Sequence, residues 1–191
     1  MKKVVWCVVV VSVLGGAVAA GAASSGQVMQ VVPAGNPMIE IWKSRREMQL
    51  RDRGQVMGRF QVALGIQPKA PKRMRGDLRT PVGRYYISEK RPSKEFYRFL
   101  GISYPNVVDA ERGYKDRLID ARQWGVIFLA NLRGDSPTWR TPLGGMVGIH
   151  GYGGRPHIVV DWTEGCIAVG NDEIELLYNT VSVGTPVLIH E

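Results

Sequence analysis

The residues best suited to chemistry lie close together in the stretch 142–178, PLGGMVGIHGYGGRPHIVVDWTEGCIAVGNDEIELLY. His150 stands between the glycines at 148 and 151, at the end of a short apolar run. Cys166 follows 16 residues later, flanked by Gly165 and Ile167. Thiol chemistry needs a thiolate, an imidazole to take its proton, and backbone donors for the oxyanion. A glycine just before the nucleophile lets the chain bend, so that the amides of Gly165 and Cys166 can point at a developing charge. These residues therefore fit a nucleophile, Cys166, with His150 as its base. Each also has an ordinary reading alone: a core cysteine, a strand-end histidine, turn glycines. His157 and His190 read as hydrogen-bonded structural histidines. The arrangement as a whole is what points to nucleophilic catalysis.

The N-terminus bears on where such a thiol would work. Met1-Lys2-Lys3 precedes an apolar run, Val4 to Leu14, broken only by Ser12, and small residues at 17–22 fit a cleavage site. This is the pattern of a signal peptide over residues 1–23, too short to span a membrane comfortably. Cys7 lies inside the apolar run, which argues against a lipid-anchored start. Export would leave Cys166 as a single thiol in a compartment where disulfides form, so it is a buried hydrophobe, half of an intermolecular disulfide, or a reactive group. Residues 24–37 read as a linker and 38–191 as one domain with its own core. With 45% hydrophobic and 22% charged residues the chain is of globular type. The net charge of +8 suits anionic wall polymers or a membrane surface. No basic run with interleaved aromatics suggests nucleic acid. One remaining cysteine and three dispersed histidines offer no metal cluster.

The elements that must position this pair are mostly strands. Residues 38–44 alternate apolar and polar side chains. Residues 46–65 read as a hairpin turning near Asp52–Gly54. The Pro-, Gly- and Arg/Lys-rich segment 67–83 is a loop, and 84–88 is a further strand. From 104 to 133 the apolar spacing turns helical, predicting one or two helices interrupted at Gly113 and Gly125; whether they cover the site as a lid stays open. Strands are expected in 144–151 and 156–163. A short helix capped by Asn171 and a closing strand over 183–190 complete the domain. The expected fold is mostly β, a sandwich or a partly open barrel with small helical insertions.

At this point the residues resemble a known family. His150 followed by Thr-Glu-Gly-Cys resembles the site motif of the L,D-transpeptidase catalytic domain, of the YkuD or ErfK/YbiS type. RGDLRTPVGRYYI at 75–87, TPLGGMVGIHG at 141–151 and VGTPVLI at 183–189 are similar to its other segments, so the likeness covers about 38–190. The resemblance implies a peptidoglycan acyltransferase, exported to the periplasm or cell-wall space. Cys166 would form a thioester with a stem peptide as D-alanine leaves, and His150 would act as base, then acid. The Gly151 carbonyl would orient the imidazole, and the Gly165 and Cys166 amides would form the oxyanion hole. The acceptor would be the amine of a second stem peptide or a lipoprotein lysine. No metal or organic cofactor is implied.

Two positions depart from the common motif: Glu164 replaces a histidine and Ala168 an arginine. A carboxylate beside the thiol would raise its pKa, and a substrate carboxylate would need another cation. Arg155 and Arg84 are candidates for it, with Tyr152 and Thr163 as further substrate-binding residues. Sortase-type enzymes have a longer His–Cys separation, and NlpC-type peptidases place Cys before His. Hydrolysis of the same thioester by water, and a catalytically inactive wall-binding module, are the other readings.

Overall fold

The computed structural model describes residues 35–156 and 160–191. The signal-peptide reading, most of the linker and His157 lie outside them. Eight strands form one sheet: β1 (Pro37–Trp42), β2 (Glu47–Asp52), β3 (Gln55–Gln61), β4 (Gly83–Ser93), β5 (Tyr97–Ile102), β6 (Gly148–His150), β7 (Ile167–Ala168) and β8 (Pro186–His190). Their order is β3-β2-β1-β8-β4-β5-β6-β7. The β2–β3 hairpin turns on Arg53 and Gly54, both at positive φ (47° and 82°), the conformation whose twist matches the flanking strands. Strand β8 inserts between β1, which it pairs in parallel, and β4, which it pairs antiparallel. Alternate side chains, among them Ile39, Ile41, Leu50, Ile87, Ile149, Ile167 and Ile189, fill one continuous core.

The two ends of the sheet are joined. Just past β3, Ala63 exchanges both backbone hydrogen bonds with Ala168 of β7 (2.9 and 2.8 Å), and Ile66 donates to Thr163 O (3.0 Å). Of the two expected architectures the protein takes the partly open barrel: a single sheet curls until its end strands nearly meet. The closure holds β7, and with it Cys166, between β6 and the chain that follows β3.

Helices α1 (Val107–Lys115) and α2 (Ala121–Arg133) occupy the predicted helical stretch, and α3 (Asn171–Thr180) follows the cysteine. The break between α1 and α2 falls at 116–120, where Asp120 caps α2, and not at the glycines. Gly113 lies inside α1 because a Cβ there would come within 2.7 Å of Leu143, and Gly125 is an ordinary residue of α2. Asn171 is the first residue of α3, not its cap; that place belongs to Gly170, whose N–H donates to Glu173. Strand β5 has no counterpart in the sequence reading. Of the strand expected over 156–163, residues 157–159 lie outside the described residues, and Thr163 makes only an isolated bridge to Gly65. Among the described residues, no helix is long and apolar enough to cross a membrane.

Candidate active site

Strands β6 and β7 run in parallel, with Ile149 opposite Ile167 and His150 opposite Ala168. Cys166, one residue before β7, therefore lies beside Gly148, and His150 is its diagonal neighbour across the two strands. The thiol opens on a cleft of about 300 Å³ lined by Lys72, Arg75, Trp139, Met146, Glu164 and Gly165. Its Sγ lies 3.6 Å from the Met146 carbonyl.

His150 is buried, 1% exposed. Its Nδ1 lies 2.8 Å from the Gly151 carbonyl. A carbonyl only accepts, so Nδ1 carries the proton and the lone pair is left on Nε2. Phe96 packs on the ring with centroids 4.1 Å apart, and Trp162 meets it edge-on at 5.7 Å. Burial, with a lesser push from Arg155, holds the imidazole below the ordinary histidine range against the Gly151 hydrogen bond. The following loop fits only without side chains. A Cβ on Gly151 would sit 2.5 Å from Asn171 Oδ1 and 2.9 Å from Phe96 O. Asn171 brackets that loop, accepting from Gly153 N–H (3.0 Å) and donating to Gly153 O (2.8 Å).

Gly165 turns the chain into the nucleophile at φ 133°, and a Cβ there would meet Arg79 O at 2.6 Å. Its N–H donates to Thr163 Oγ1 (3.1 Å), and the same hydroxyl donates to Cys166 O (2.7 Å). Of the expected oxyanion pair, the Gly165 amide is thus engaged by the Thr163 hydroxyl in this structure. The Cys166 N–H has no hydrogen-bond partner among the described residues. Burial pushes the thiol pKa up to about 11; the Gly148 N–H and the charge of Lys72 pull it down, while Glu164 pushes it further up. Burial thus favours the neutral form of both the thiol and the imidazole.

The remaining sequence candidates lie outside this cleft, Arg155 being close enough to His150 to lower its pKa. Thr163 is buried as the brace of the Gly165 turn. Tyr152 is buried against Trp162, with centroids 5.6 Å apart. Arg155 pairs with Glu95 at 2.9 Å and lies over Trp162 and Phe96, and Arg84 is exposed on β4 with its carbonyl held by Asn106. None of these four lines the cleft; its cations are Lys72 and Arg75. The basic run before Gly76-Asp77 carried them, but it reads as a solvated loop. Nor do α1 and α2 form a lid, since the cleft wall comes from 139 and 144–147. His190 Nε2 donates to the Glu40 carboxylate at 2.8 Å and its ring stacks on Trp42, away from the site.

A part-buried thiol at a cleft and a buried imidazole on adjacent strands of a curled sheet define a cysteine–histidine domain. The chain belongs to the family of L,D-transpeptidase catalytic domains (YkuD), whose model matches residues 36–189. YafK of Escherichia coli (strain K12) is 25% identical over 92 residues, 44% of this chain and 37% of YafK. Several solved structures share the fold. The helical cell shape determining protein Pgp2 from Campylobacter jejuni is 20% identical at a TM-score of 0.53, over 82% of this chain and 48% of that one. Bd1075 from Bdellovibrio bacteriovorus is 18% identical at 0.53, over 81% and 47%. This chain thus spans little more than a third of YafK and about half of each solved chain.

Proposed function

We propose that this domain is a cysteine acyltransferase acting on peptidoglycan stem peptides, with Cys166 as nucleophile and His150 as base. The observation that carries the reading is the β6–β7 register, which sets the thiol at a cleft and a buried, singly oriented imidazole on the neighbouring strand. His150 Nε2 takes the thiol proton as Sγ bonds to the carbonyl carbon at the third residue of the stem. The tetrahedral oxyanion is met by the Cys166 N–H. Collapse expels D-alanine, whose amine receives the proton from His150, and leaves a thioester. An incoming amine, from a second stem peptide or a lipoprotein lysine, then attacks the thioester and releases its proton to His150; the C–S bond breaks, and Cys166 leaves as the thiol with the proton that His150 returns. Both states of His150 are served by the Gly151 carbonyl, which accepts from Nδ1 throughout.

Family membership supports peptidoglycan as substrate, and Pgp2, which shares the fold, is a determinant of helical cell shape. The N-terminal pattern supports export, with residues 1–23 removed, 24–37 as linker and 38–191 acting in the periplasm or wall space. The test is incubation of the secreted domain with purified muropeptides, followed by mass spectrometry. Loss of D-alanine with a new dimer joined through the third residues supports transfer. Tripeptide alone replaces transfer by hydrolysis, and intact muropeptides in the presence of saturable binding replace both by a binding module. Cys166→Ala must abolish any turnover seen.

A further inference from the structure

The cleft beside Cys166 holds a cation for which the mechanism above has no use. Lys72 is 4% exposed, and its ammonium donates to Asp77 Oδ1 (2.9 Å) and to Met74 O (3.1 Å). Asp77 is in turn fixed by the backbone: Oδ2 accepts from the N–H groups of Arg73 (2.6 Å) and Met74 (3.0 Å), and Oδ1 from Arg79 (3.2 Å). Burial works against that carboxylate, yet these bonds and Lys72 hold its pKa below the ordinary value. The loop is thus wound on Asp77, and Asp77 fixes the ammonium. Two of the three ammonium donors are used, and the group borders the same cleft as the thiol. Its Nζ lies 3.7 Å from the point where a side chain on Gly165 would begin.

The oxyanion site, meanwhile, has a single uncommitted amide donor. Acyl-transfer sites aim fixed donors at the developing charge. Here the Gly165 N–H is spent on Thr163, which leaves the Cys166 amide alone. We propose that Lys72 is the electrostatic partner of Cys166, its fixed ammonium carrying the charge that develops first on sulfur and then on the carbonyl oxygen of the acyl donor. The assignment rests on the cysteine chemistry proposed above. The thiol proton goes to His150, the S–C bond forms, the carbonyl electron pair moves to oxygen, and that oxygen faces Lys72. Collapse returns the pair and expels the amine with the proton from His150.

The charged groups acting on Cys166 are Lys72, Glu164 at the cleft rim and the more distant Arg91, with neutral His150 on the next strand. Lys72 itself meets Asp77 and the face of Tyr104 at 5.9 Å, while Arg112 donates to its carbonyl. The test is the pH profile of Cys166 alkylation by iodoacetamide in the full chain, followed by intact mass. Lys72→Gln should move the profile up by about one pH unit, a roughly tenfold slower reaction at fixed pH. Lys72→Arg should stay close to the unmodified protein. Asp77→Asn removes the countercharge and should speed alkylation. A loop-anchoring role predicts that Lys72→Gln and Asp77→Asn act in the same direction. That outcome, or an unchanged Lys72→Gln profile, overturns the proposal. Should Lys72→Gln lose its cooperative melt, the sign of the Asp77→Asn effect decides. Alkylation needs no muropeptide, so a negative result with turnover intact removes Lys72 alone. Turnover that survives Cys166→Ala removes the cysteine reading itself.

Discussion

Burial acts on Cys166 and His150 in opposite directions and arrives at the same state. It pushes the thiol up to about 11 and the imidazole below its ordinary range, so both are uncharged near neutrality and no thiolate–imidazolium pair is stored at rest. With a pKa of about 11, only on the order of one thiol in a thousand is ionised at pH 8. Alkylation of Cys166 should therefore keep rising from pH 7 to pH 10, and a plateau reached below pH 8.5 in intact-mass kinetics would sink this account. Glu164 raises the thiol pKa from the cleft rim, so Glu164→Gln should shift the same profile to lower pH; an unchanged or upward shift contradicts it. His150 gives a further sign. Its folded pKa is depressed, so the unfolded chain binds the proton more readily. The stability it contributes is complete above the unfolded value near 6.5 and is lost as pH falls through the folded value. Urea unfolding at pH 7.5 and pH 5 should show a larger acid loss for the native protein than for His150→Gln. Equal losses would mean that the imidazole titrates alike in both states.

Those two residues were legible because glycines mark them at short range; what fixes them in place comes from separate elements. Alternation revealed β1, β2, β3 and β8, each with one face on the core. Strand β5 was hidden because four consecutive residues, Phe99–Ile102, are all buried, which erases the period of two. Glycine punctuation misled in α1, where Gly113 answers to the packing of Leu143 and not to a break. Asn171 was read as a helix cap from its type and position, yet its amide reaches back to both backbone groups of Gly153. No local pattern announces a contact across 18 residues. The clamp ties α3 to the loop whose Gly151 carbonyl orients His150. Asn171→Ala should cost about 1 kcal/mol in denaturant unfolding, since two part-buried backbone groups of Gly153 lose their partner. It should also slow the His150-dependent alkylation of Cys166. If stability falls while alkylation is unaffected, the clamp supports the fold without orienting the base.

The whole sheet explains the second departure from the family motif. Ala168 is fully buried where the barrel closes, exchanging hydrogen bonds with Ala63 and packing with Tyr152 and Trp162. Closure brings these residues together from distant parts of the chain. The space beside Ala168 is occupied by an aromatic cluster whose Trp162 also packs against His150. The positive charge of the site comes instead from the other wall, through Lys72 and Arg75 in a loop that follows the closing segment. Sequence could show that an arginine was missing but not that its volume was filled. Restoring it should fail. Ala168→Arg inserts both bulk and an unpaired charge into a packed seam, with an expected loss of about 3–5 kcal/mol in denaturant unfolding. Because the obstacle is the aromatic cluster, adding Trp162→Ala to Ala168→Arg should recover part of that loss, although Trp162→Ala alone destabilises. Such a coupling is the mark of two side chains competing for one space. Additive losses would instead place the cost in the strand pairing of β7 itself, and the seam with Ala63 would then be what excludes the arginine.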